Sequence, residues 1–362
     1  MTNEPNLVLL TGGTGFIGIK MLHTLLSRSY PVRLAVRSES KSASFLSNPA
    51  LASLNKDDLI SFVTIPDLTV PGAFDSALEG VKYVIHVASP MPTSAASKEQ
   101  SLEQQHAFYV EPAVAATLSL LESAAKTPSV KKVVITSSII AVIRPSVLLG
   151  QESTDEVFSA ASPTPDEIPP PYNEPSGLLA YVASKIAALR ATDQWVATHP
   201  DKHFDIVNVY PGYVFGRNLL AEKSSDMWTS TDAMLLRIPF GIVKEGDGNP
   251  PAAAAFAHLD DVAEVHVRAL DENNPAVRGY KAFAVFSNGS EGKAWNNIRD
   301  VTKEKFPQEI ADGVIPNDGA LETVPVNADA SETEKELGFK FKHLGSMVED
   351  VVGQFLELKN RE

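Results

Sequence analysis

The chain has 362 residues, a length that favours two domains or one large domain with a sizeable core. Its formal net charge is −14, so phosphate backbones and anionic lipid surfaces repel it, and we expect neither a nucleic acid nor a membrane as a partner. The absence of cysteine excludes disulfides, cysteine-ligated metals and thiol nucleophiles. No targeting segment or apolar span is recognisable, which predicts a cytoplasmic protein; no metal site is predicted.

Short apolar runs alternate with longer helical patterns along the first part of the chain. The predicted strands are Leu7–Leu10, Val32–Val36, Leu59–Thr64, Tyr83–Val87, Val133–Thr136 and Ile206–Val209. The predicted helices are Phe16–Leu26, Ala113–Ala125 and Tyr181–Ala197. This alternation is typical of a parallel sheet covered on both faces, so we predict an α/β fold with a Rossmann-type doubly wound sheet, which binds ligands at the carboxyl ends of its strands.

Glycines follow the first predicted strand at a regular spacing. Gly12, Gly15 and Gly18 form a G-x-x-G-x-x-G pattern that opens the first helix. A dinucleotide site requires a tight turn after a strand, backbone N–H groups close to a pyrophosphate, and a helix packed against the sheet. A purely structural turn is the alternative. The strand before the loop, the amphipathic helix after it and the second strand at Val32–Val36 favour a dinucleotide site.

The end of the second strand indicates which dinucleotide binds. An NAD site usually carries Asp or Glu there, because a carboxylate accepts a hydrogen bond from the ribose 2′-hydroxyl. This chain has Arg37 at that point and Lys41 after it, with no carboxylate before Glu39. Arg37 can pair with a 2′-phosphate, so we predict NADPH as the cofactor. The alternative is that Arg37 and Lys41 are only solvated surface charges.

A serine pair and a Y-x-x-x-K motif follow later strands. Ser137 and Ser138 come directly after the strand Val133–Thr136, and Tyr181 and Lys185 lie four residues apart at the start of a helix, on one face. Reduction of a carbonyl needs a proton donor. Tyr181 can donate this proton, and the Lys185 ammonium stabilises the tyrosinate that remains. A serine hydroxyl can orient the carbonyl group. An ordinary exposed helical pair is the alternative, and either serine is a candidate.

The remaining sequence is less regular. Residues 162–176 contain several prolines, which predicts an ordered surface loop or flap in place of a helix or central strand. We assign residues 1–218 to the dinucleotide-binding domain. Residues 219–362 are assigned mainly to a smaller, partly discontinuous substrate-binding region, with segments at about 255–290 returning to the first domain. The candidates for an apolar pocket are Met91, Pro170–Tyr172, Met227, Trp228, Met234 and Phe240, and ordinary core or loop packing is the alternative.

These motifs together resemble the extended short-chain dehydrogenase/reductases, and more closely the group of dihydroflavonol reductases, cinnamoyl-CoA reductases and fungal aldehyde/ketone reductases. The matching segments are Thr11–Gly18, Ala35–Arg37, Asp67–Leu68, His86–Pro90, Thr136–Ser138, Tyr181–Lys185, Pro211–Gly216 and His258–Ala263. They extend from Leu7 to about Leu270.

The resemblance implies a role for each matching residue. It implies that Ser138, Tyr181 and Lys185 are catalytic, and that Tyr181 and Lys185 also contact the cofactor. It implies that Thr14, Gly15, Phe16 and Ile17 line the pyrophosphate with Gly12 and Gly18, and that Arg37 and Lys41 meet the 2′-phosphate. It further implies that Asp67 and Leu68 flank the adenine, that Val87, Ala88 and Ser89 support the cofactor, and that Pro211 and Val214 close over the nicotinamide. His86 is interpreted as a structural histidine, and His258 with Asp260 and Asp261 as a structural contact.

One feature departs from the family. Many short-chain reductases add an asparagine that holds a water near the lysine, in the helix before the serine strand. This chain has no Asn from Ser101 to Val130. That absence puts a four-residue catalytic set in doubt.

The sequence leaves three functions open. The first is an NADPH-dependent reductase of a ketone or aldehyde, with an aromatic or polyketide-derived secondary metabolite as the expected substrate. The second is an NAD-dependent sugar-nucleotide epimerase or dehydratase, and the third a non-catalytic NADPH-binding regulator. A small-molecule carbonyl compound is the expected partner, and the chain is either a monomer or a homodimer.

Overall fold

A seven-stranded β-sheet organises the fold. The computed structural model describes residues 6–47, 58–90, 101–172, 177–287 and 294–362. The strand order is β10-β6-β5-β4-β1-β2-β3. The ladders β3–β2, β2–β1, β1–β4, β4–β5 and β5–β6 are parallel. The order reverses between β1 and β4, so the predicted doubly wound α/β fold is confirmed.

The described elements have the following bounds. The strands are β1 (Val8–Thr11), β2 (Val32–Val36), β3 (Ile60–Thr64), β4 (Tyr83–His86), β5 (Lys132–Thr136), β6 (Asp205–Pro211), β7 (Tyr213–Phe215), β8 (Ala252–Ala253), β9 (Phe256–His258), β10 (Tyr280–Val285) and β11 (Thr323–Val324). The α-helices are α1 (Phe16–Ser27), α2 (Glu39–Ser47), α3 (Glu111–Ala125), α4 (Pro145–Leu148), α5 (Leu178–Thr198), α6 (Asp232–Leu236), α7 (Leu259–Arg268), α8 (Asn297–Lys305), α9 (Pro307–Ala311), α10 (Ser331–Leu337) and α11 (Leu344–Lys359). A π-helical turn, His106–Val110, leads into α3. Within the described ranges, no helix is both long and apolar enough to cross a bilayer.

The seventh strand, β10, was not among the predicted strands. It lies at one edge of the sheet beside β6, and the first half of its sequence is partly exposed. Lys281 interrupts its apolar pattern, and a short edge strand of this kind lacks the Val- and Ile-rich run that marks a strand buried on both faces.

Contacts divide the chain into two compact units. The first comprises residues 1–141, 164–209 and 263–282, and the second residues 142–163, 210–262 and 283–362. The first unit has a core between sheet and helices that includes Leu9, Phe74, Leu120 and Trp195. The second unit packs around the fully buried Trp295, whose ring lies 4.8 Å from that of Phe256.

The proline-rich segment contains no helix or strand over residues 162–172; residues 173–176 lie outside the described ranges. It is nevertheless anchored. Tyr172 is buried, its ring is stacked on His106 at 6.0 Å, and its hydroxyl lies 2.7 Å from Nδ1 of His106. Tyr172 and Ile168 also pack on the cluster that includes Tyr181, so this segment covers the start of helix α5.

Candidate active site and cofactor loop

The loop between β1 and α1 is shaped by close backbone contacts. Gly12 has φ +70, and a Cβ placed on it would lie 2.7 Å from the backbone nitrogen of Ala88. A Cβ on Gly18 would lie 2.1 Å from the carbonyl oxygen of Gly12. Around Gly15 the nearest such atom is 3.4 Å away. Two of the three glycines are therefore required for packing, and the third leaves room beside the loop.

Helix α1 begins directly at this open position. Gly15 is the N-cap, in an extended conformation, and no side chain caps the helix. Thr14 and Gly15 are exposed, whereas Phe16 and Ile17 are half-buried. An uncapped helix start presents backbone N–H groups and a partial positive charge to an anion. The loop thus fits the pyrophosphate of a dinucleotide.

The end of β4 is joined to this loop by Thr11, a residue that the sequence analysis did not single out. Its hydroxyl bonds Nδ1 of His86 at 2.9 Å and accepts the N–H groups of Val87 and Ala88 at 3.2 and 3.3 Å. Burial, with a smaller effect of Lys185, lowers the pKa of His86 to about 4. His86 is therefore neutral at pH 7 and holds the two strand ends together.

The residues predicted to meet the adenosine half of the cofactor lie at the ends of β2 and β3. Arg37 and Lys41 are exposed, and within the described ranges neither side chain has a hydrogen bond or ion pair. Asp67 is exposed and accepts two hydrogen bonds from Thr69, which lower the pKa of its carboxyl; the Arg37 charge is a minor cause. Leu68 is half-buried. Because Arg37 has no hydrogen bond or ion pair with any residue that the structure describes, its guanidinium is available to an added phosphate.

Tyr181 and Lys185 lie one turn apart on α5. The ammonium of Lys185 lies 5.5 Å from the centre of the Tyr181 ring and donates to the Ser89 hydroxyl at 3.1 Å. Lys185 is 7% exposed, and burial lowers its pKa to about 8. Tyr181 is half-buried. The structure thus brings together residues from α5 and from the end of β4 that are almost 100 positions apart in the chain.

The two candidate serines differ in their surroundings. Ser137 is buried, and its N–H donates to the carbonyl of Val209 on β6 at 2.8 Å. Ser138 is half-buried, and its hydroxyl is 3.4 Å from the N–H of Ile140. Ser137 lines a small cavity with Lys185, whereas Ser138 does not.

That cavity includes three polar residues that the sequence analysis missed: Thr117, Thr192 and Asn208. Thr117 and Thr192 lie on helices α3 and α5, where nothing in the sequence distinguishes them. Asn208 carried a usable signal, because it is the polar residue inside the buried strand Ile206–Val209, and a buried amide requires partners.

The remaining predicted residues belong to the second unit. Pro211 ends β6 and Val214 lies in β7, which pairs with β9. A Cβ on the intervening Gly212 would lie 2.0 Å from the carbonyl oxygen of Ala255, so this turn is tightly packed.

His258 and the two aspartates after it form local contacts in this unit. Nδ1 of His258 accepts the Asp260 N–H, Nε2 lies 3.1 Å from Asp350, and Lys342 pairs with Asp260. Within the described ranges, no group of His, Asp and Glu side chains could hold a metal ion.

The apolar residues considered for a substrate pocket lie in or against the second core. Met227 is fully buried, and Met234, Trp228 and Phe240 pack against the same cluster. Met91 lies outside the described ranges. The rings of Trp228 and Phe240 contact Phe355 on α11 at 5.9 and 4.6 Å. These contacts favour the core-packing alternative.

The fold and this site define a class of dinucleotide-binding α/β protein, and comparison with known proteins identifies the family. Residues 8–283 match the NAD dependent epimerase/dehydratase family, and the chain belongs to that family, which confirms the resemblance to extended short-chain dehydrogenase/reductases. Ketoreductase CTB6 of Cercospora nicotianae is 35% identical over 368 residues, which cover 99% of this chain and 97% of the relative. NAD-dependent epimerase/dehydratase ALT6 of Alternaria alternata is 36% identical over 351 residues, covering 94% and 95%.

A solved structure supports the same fold. Yeast methylglyoxal/isovaleraldehyde reductase Gre2, complexed with NADPH, superposes with a TM-score of 0.80 at 23% identity, covering 98% of this chain and 100% of that chain.

The glycine contacts predict unequal effects of two matched substitutions. Gly18→Ala lowers the free energy of unfolding of the ligand-free protein by about 1–3 kcal/mol, because its methyl group overlaps the Gly12 carbonyl. Gly15→Ala lowers it by less than about 1 kcal/mol, because its methyl group makes only an ordinary contact with the Gly12 carbonyl oxygen at 3.4 Å and the remaining cost is that of alanine at the N-cap. Urea unfolding followed by circular dichroism measures both. Equal losses in the two variants would contradict this assignment of the glycines.

The buried lysine predicts a pH-dependent stability difference. The folded-state pKa of Lys185, about 8, lies below the ordinary value of 10.5, so its ammonium destabilises the fold at low pH. As pH rises from about 8 to 10.5, the unfolded chain binds more protons than the folded one, and this cost disappears. We therefore expect Lys185→Met to be more stable than the parent at pH 7, by up to about 3 kcal/mol, with the difference closing above pH 8. A variant that is less stable at every pH would contradict the burial cost.

Proposed function

We propose that the protein is an NADPH-dependent reductase of ketones or aldehydes. The observation that carries the proposal is the buried ammonium of Lys185, held beside Tyr181 at the carboxyl edge of a dinucleotide-type sheet. The fungal relative CTB6 is named a ketoreductase, and the yeast Gre2 structure is that of a reductase with NADPH, which supports the same reaction class. We retain the expectation of a cytoplasmic enzyme.

The chain's own groups account for protonation and orientation. The Ser138 hydroxyl donates a hydrogen bond to the substrate carbonyl oxygen, and Tyr181 donates a proton to the same oxygen as negative charge develops on it. The Lys185 ammonium stabilises the tyrosinate that remains. Ser137 is buried on the cavity side, which supports Ser138 as the acting serine. A bound nicotinamide supplies the hydride.

The proposed cofactor contacts come mainly from residues of the first unit. Gly12, Thr14, Gly15, Phe16, Ile17 and Gly18 form the pyrophosphate loop, and Val87, Ala88 and Ser89 support the cofactor beside it. Arg37 and Lys41 bind the 2′-phosphate, and Asp67 and Leu68 flank the adenine. Pro211 and Val214 remain proposed contacts to the nicotinamide. The family name refers to NAD, but an exposed arginine in place of the usual carboxylate favours NADPH.

The substrate proposal is an aromatic or polyketide-derived carbonyl compound, with residues 219–362 as the main substrate-binding region. A panel of aromatic and aliphatic ketones and aldehydes, with NADPH and NADH in parallel, tests it. A preference for small aliphatic aldehydes would contradict the proposal of an aromatic or polyketide-derived substrate, but it would be consistent with the proposed reductase activity.

The second candidate is an epimerase or dehydratase, favoured by the name of the Alternaria alternata relative. Such an enzyme turns over without net consumption of added cofactor. If the purified protein converts sugar nucleotides without added cofactor, the reductase proposal is wrong. Tight NADPH binding with no turnover on any carbonyl would favour a non-catalytic regulator.

Replacement of the proposed acid separates chemistry from binding. Tyr181→Phe removes the proton donor and keeps the ring, so we expect turnover to fall at least about 100-fold. The affinity for NADPH, measured by fluorescence titration, is expected to change only a few-fold, because the lysine and the glycine loop are intact. Full turnover in this variant would exclude Tyr181 as the acid.

Replacement of the arginine tests cofactor choice. Arg37→Ala removes the proposed partner of the 2′-phosphate, so NADPH affinity is expected to fall by about 10–100-fold while NADH affinity stays nearly constant. The matched control is Arg278→Ala, an exposed arginine just before β10, at the opposite ends of the strands from the cofactor loop. Equal losses of affinity for NADPH and NADH would show that Arg37 does not bind the 2′-phosphate.

A further inference from the structure

A small cavity with both polar and apolar lining lies beside Lys185, on the side of the sheet covered by α3 and α5. Its volume is about 30 Å³, enough for one or two water molecules. Its polar lining comes from several elements and includes Ser89, Thr117, Ser137, Lys185, Thr192 and Asn208. A cavity of this size with several polar partners is the kind that holds ordered water.

The two threonines present only acceptors to the cavity. The Thr117 hydroxyl donates its proton to the carbonyl of Ala113 at 2.8 Å, and that of Thr192 donates to Ala188 at 2.9 Å. Each hydroxyl has one proton, so the lone pairs of both oxygens are what remain for the cavity. Any hydrogen bond that either oxygen makes to the cavity therefore needs a donor inside it, and a water molecule can supply one.

A chain of hydrogen bonds fixes the orientation of Asn208. The carboxylate of Asp193 can only accept, so the hydroxyl of Tyr280 donates to it, at 2.5 Å, and Thr164 donates to its other oxygen at 3.1 Å. The Tyr280 oxygen in turn accepts from the side-chain nitrogen of Asn208 at 3.0 Å. One N–H of the amide is therefore committed to Tyr280, which fixes the orientation of the amide, and the amide oxygen is the acceptor that Asn208 has for the cavity.

Lys185 supplies donors beside the same space. An ammonium group has three N–H donors, and one of them is directed to Ser89 at 3.1 Å. A buried cation is stable only where polar groups replace its hydration. Thr117, Thr192 and Asn208 provide three oxygen acceptors around the same small space.

We propose that this cavity is a buried water site, in which a water molecule accepts a hydrogen bond from Lys185 and donates one to the side-chain oxygen of Asn208. Asn208 is then a positioning residue for the catalytic ammonium of Lys185. The catalytic importance of the water rests on the proposed function, but its binding does not. Tyr280 bonds the Asn208 amide, Asp193 bonds Tyr280, and together they hold the amide in the required orientation.

The test measures the protonation of Lys185 without a substrate. The difference in unfolding free energy between a protein and its Lys185→Met partner begins to close at the folded-state pKa of Lys185. We expect Asn208→Leu, which removes the acceptor and keeps the volume, to move this onset to lower pH by about half a unit to one unit. The matched control is Asn218→Leu, at another buried asparagine, whose side-chain oxygen accepts the Leu220 N–H at 3.0 Å in the second unit. It is expected to lose stability without moving the onset.

A second variant covers the case in which Asn208→Leu does not fold. Tyr280→Phe keeps the ring but releases the amide from its fixed orientation, so we expect a smaller shift in the same direction. Its control is Tyr83→Phe, since Tyr83 also donates to a carboxylate, that of Glu272, away from the cavity. A high-resolution crystal structure is expected to show water within hydrogen-bond distance of Lys185 and Asn208.

The inference is overturned if neither variant moves the onset relative to its control, or if the crystal structure shows a dry cavity. A shifted onset in a protein that reduces no carbonyl compound would keep the water site and reject the proposed function. Carbonyl reduction by a protein whose onset does not shift would keep the proposed function and reject the water site.

Discussion

The burial of one positive charge is the constraint on which this structure depends. The ammonium of Lys185 lies inside the protein, where a cation is unstable without polar neighbours. Helix α5 places it one turn from Tyr181, the end of β4 supplies Ser89, and Asn208 lies on β6. The adjacency of β4, β5 and β6 in the sheet is what brings these groups to one cavity.

A neutral histidine is part of the same arrangement. His86 lines the cavity with Lys185, and a second positive charge there would be repelled. Burial keeps the pKa of His86 near 4, and the Thr11 hydroxyl holds its ring beside the glycine loop. The histidine that joins β4 to β1 is thus neutral and adds no competing charge beside the lysine. The cofactor loop and the proposed catalytic group are linked through one buried side chain.

The proposed chemistry depends on groups that several reactions can share. A polarised carbonyl, a tyrosine acid and a buried lysine suit reduction, and they also suit the redox steps of an epimerase, because both reactions move hydride and a proton between carbon and oxygen. What separates the two is the cofactor and the substrate. The exposed Arg37 introduces a local positive charge into a chain with a net charge of −14, and it favours the phosphorylated dinucleotide.

The sequence by itself determined the strand–helix alternation, the glycine loop and the Tyr181–Lys185 pair, because each depends on local periodicity or on short spacing. It also showed that the segment from Ser101 to Val130 lacks an asparagine. Only the tertiary structure placed Asn208 beside the lysine cavity, joined Thr11 to His86, and added β10 at the sheet edge. These contacts join residues far apart in the chain. They depend on which strands are neighbours and which way each side chain faces, and local pattern does not contain that information.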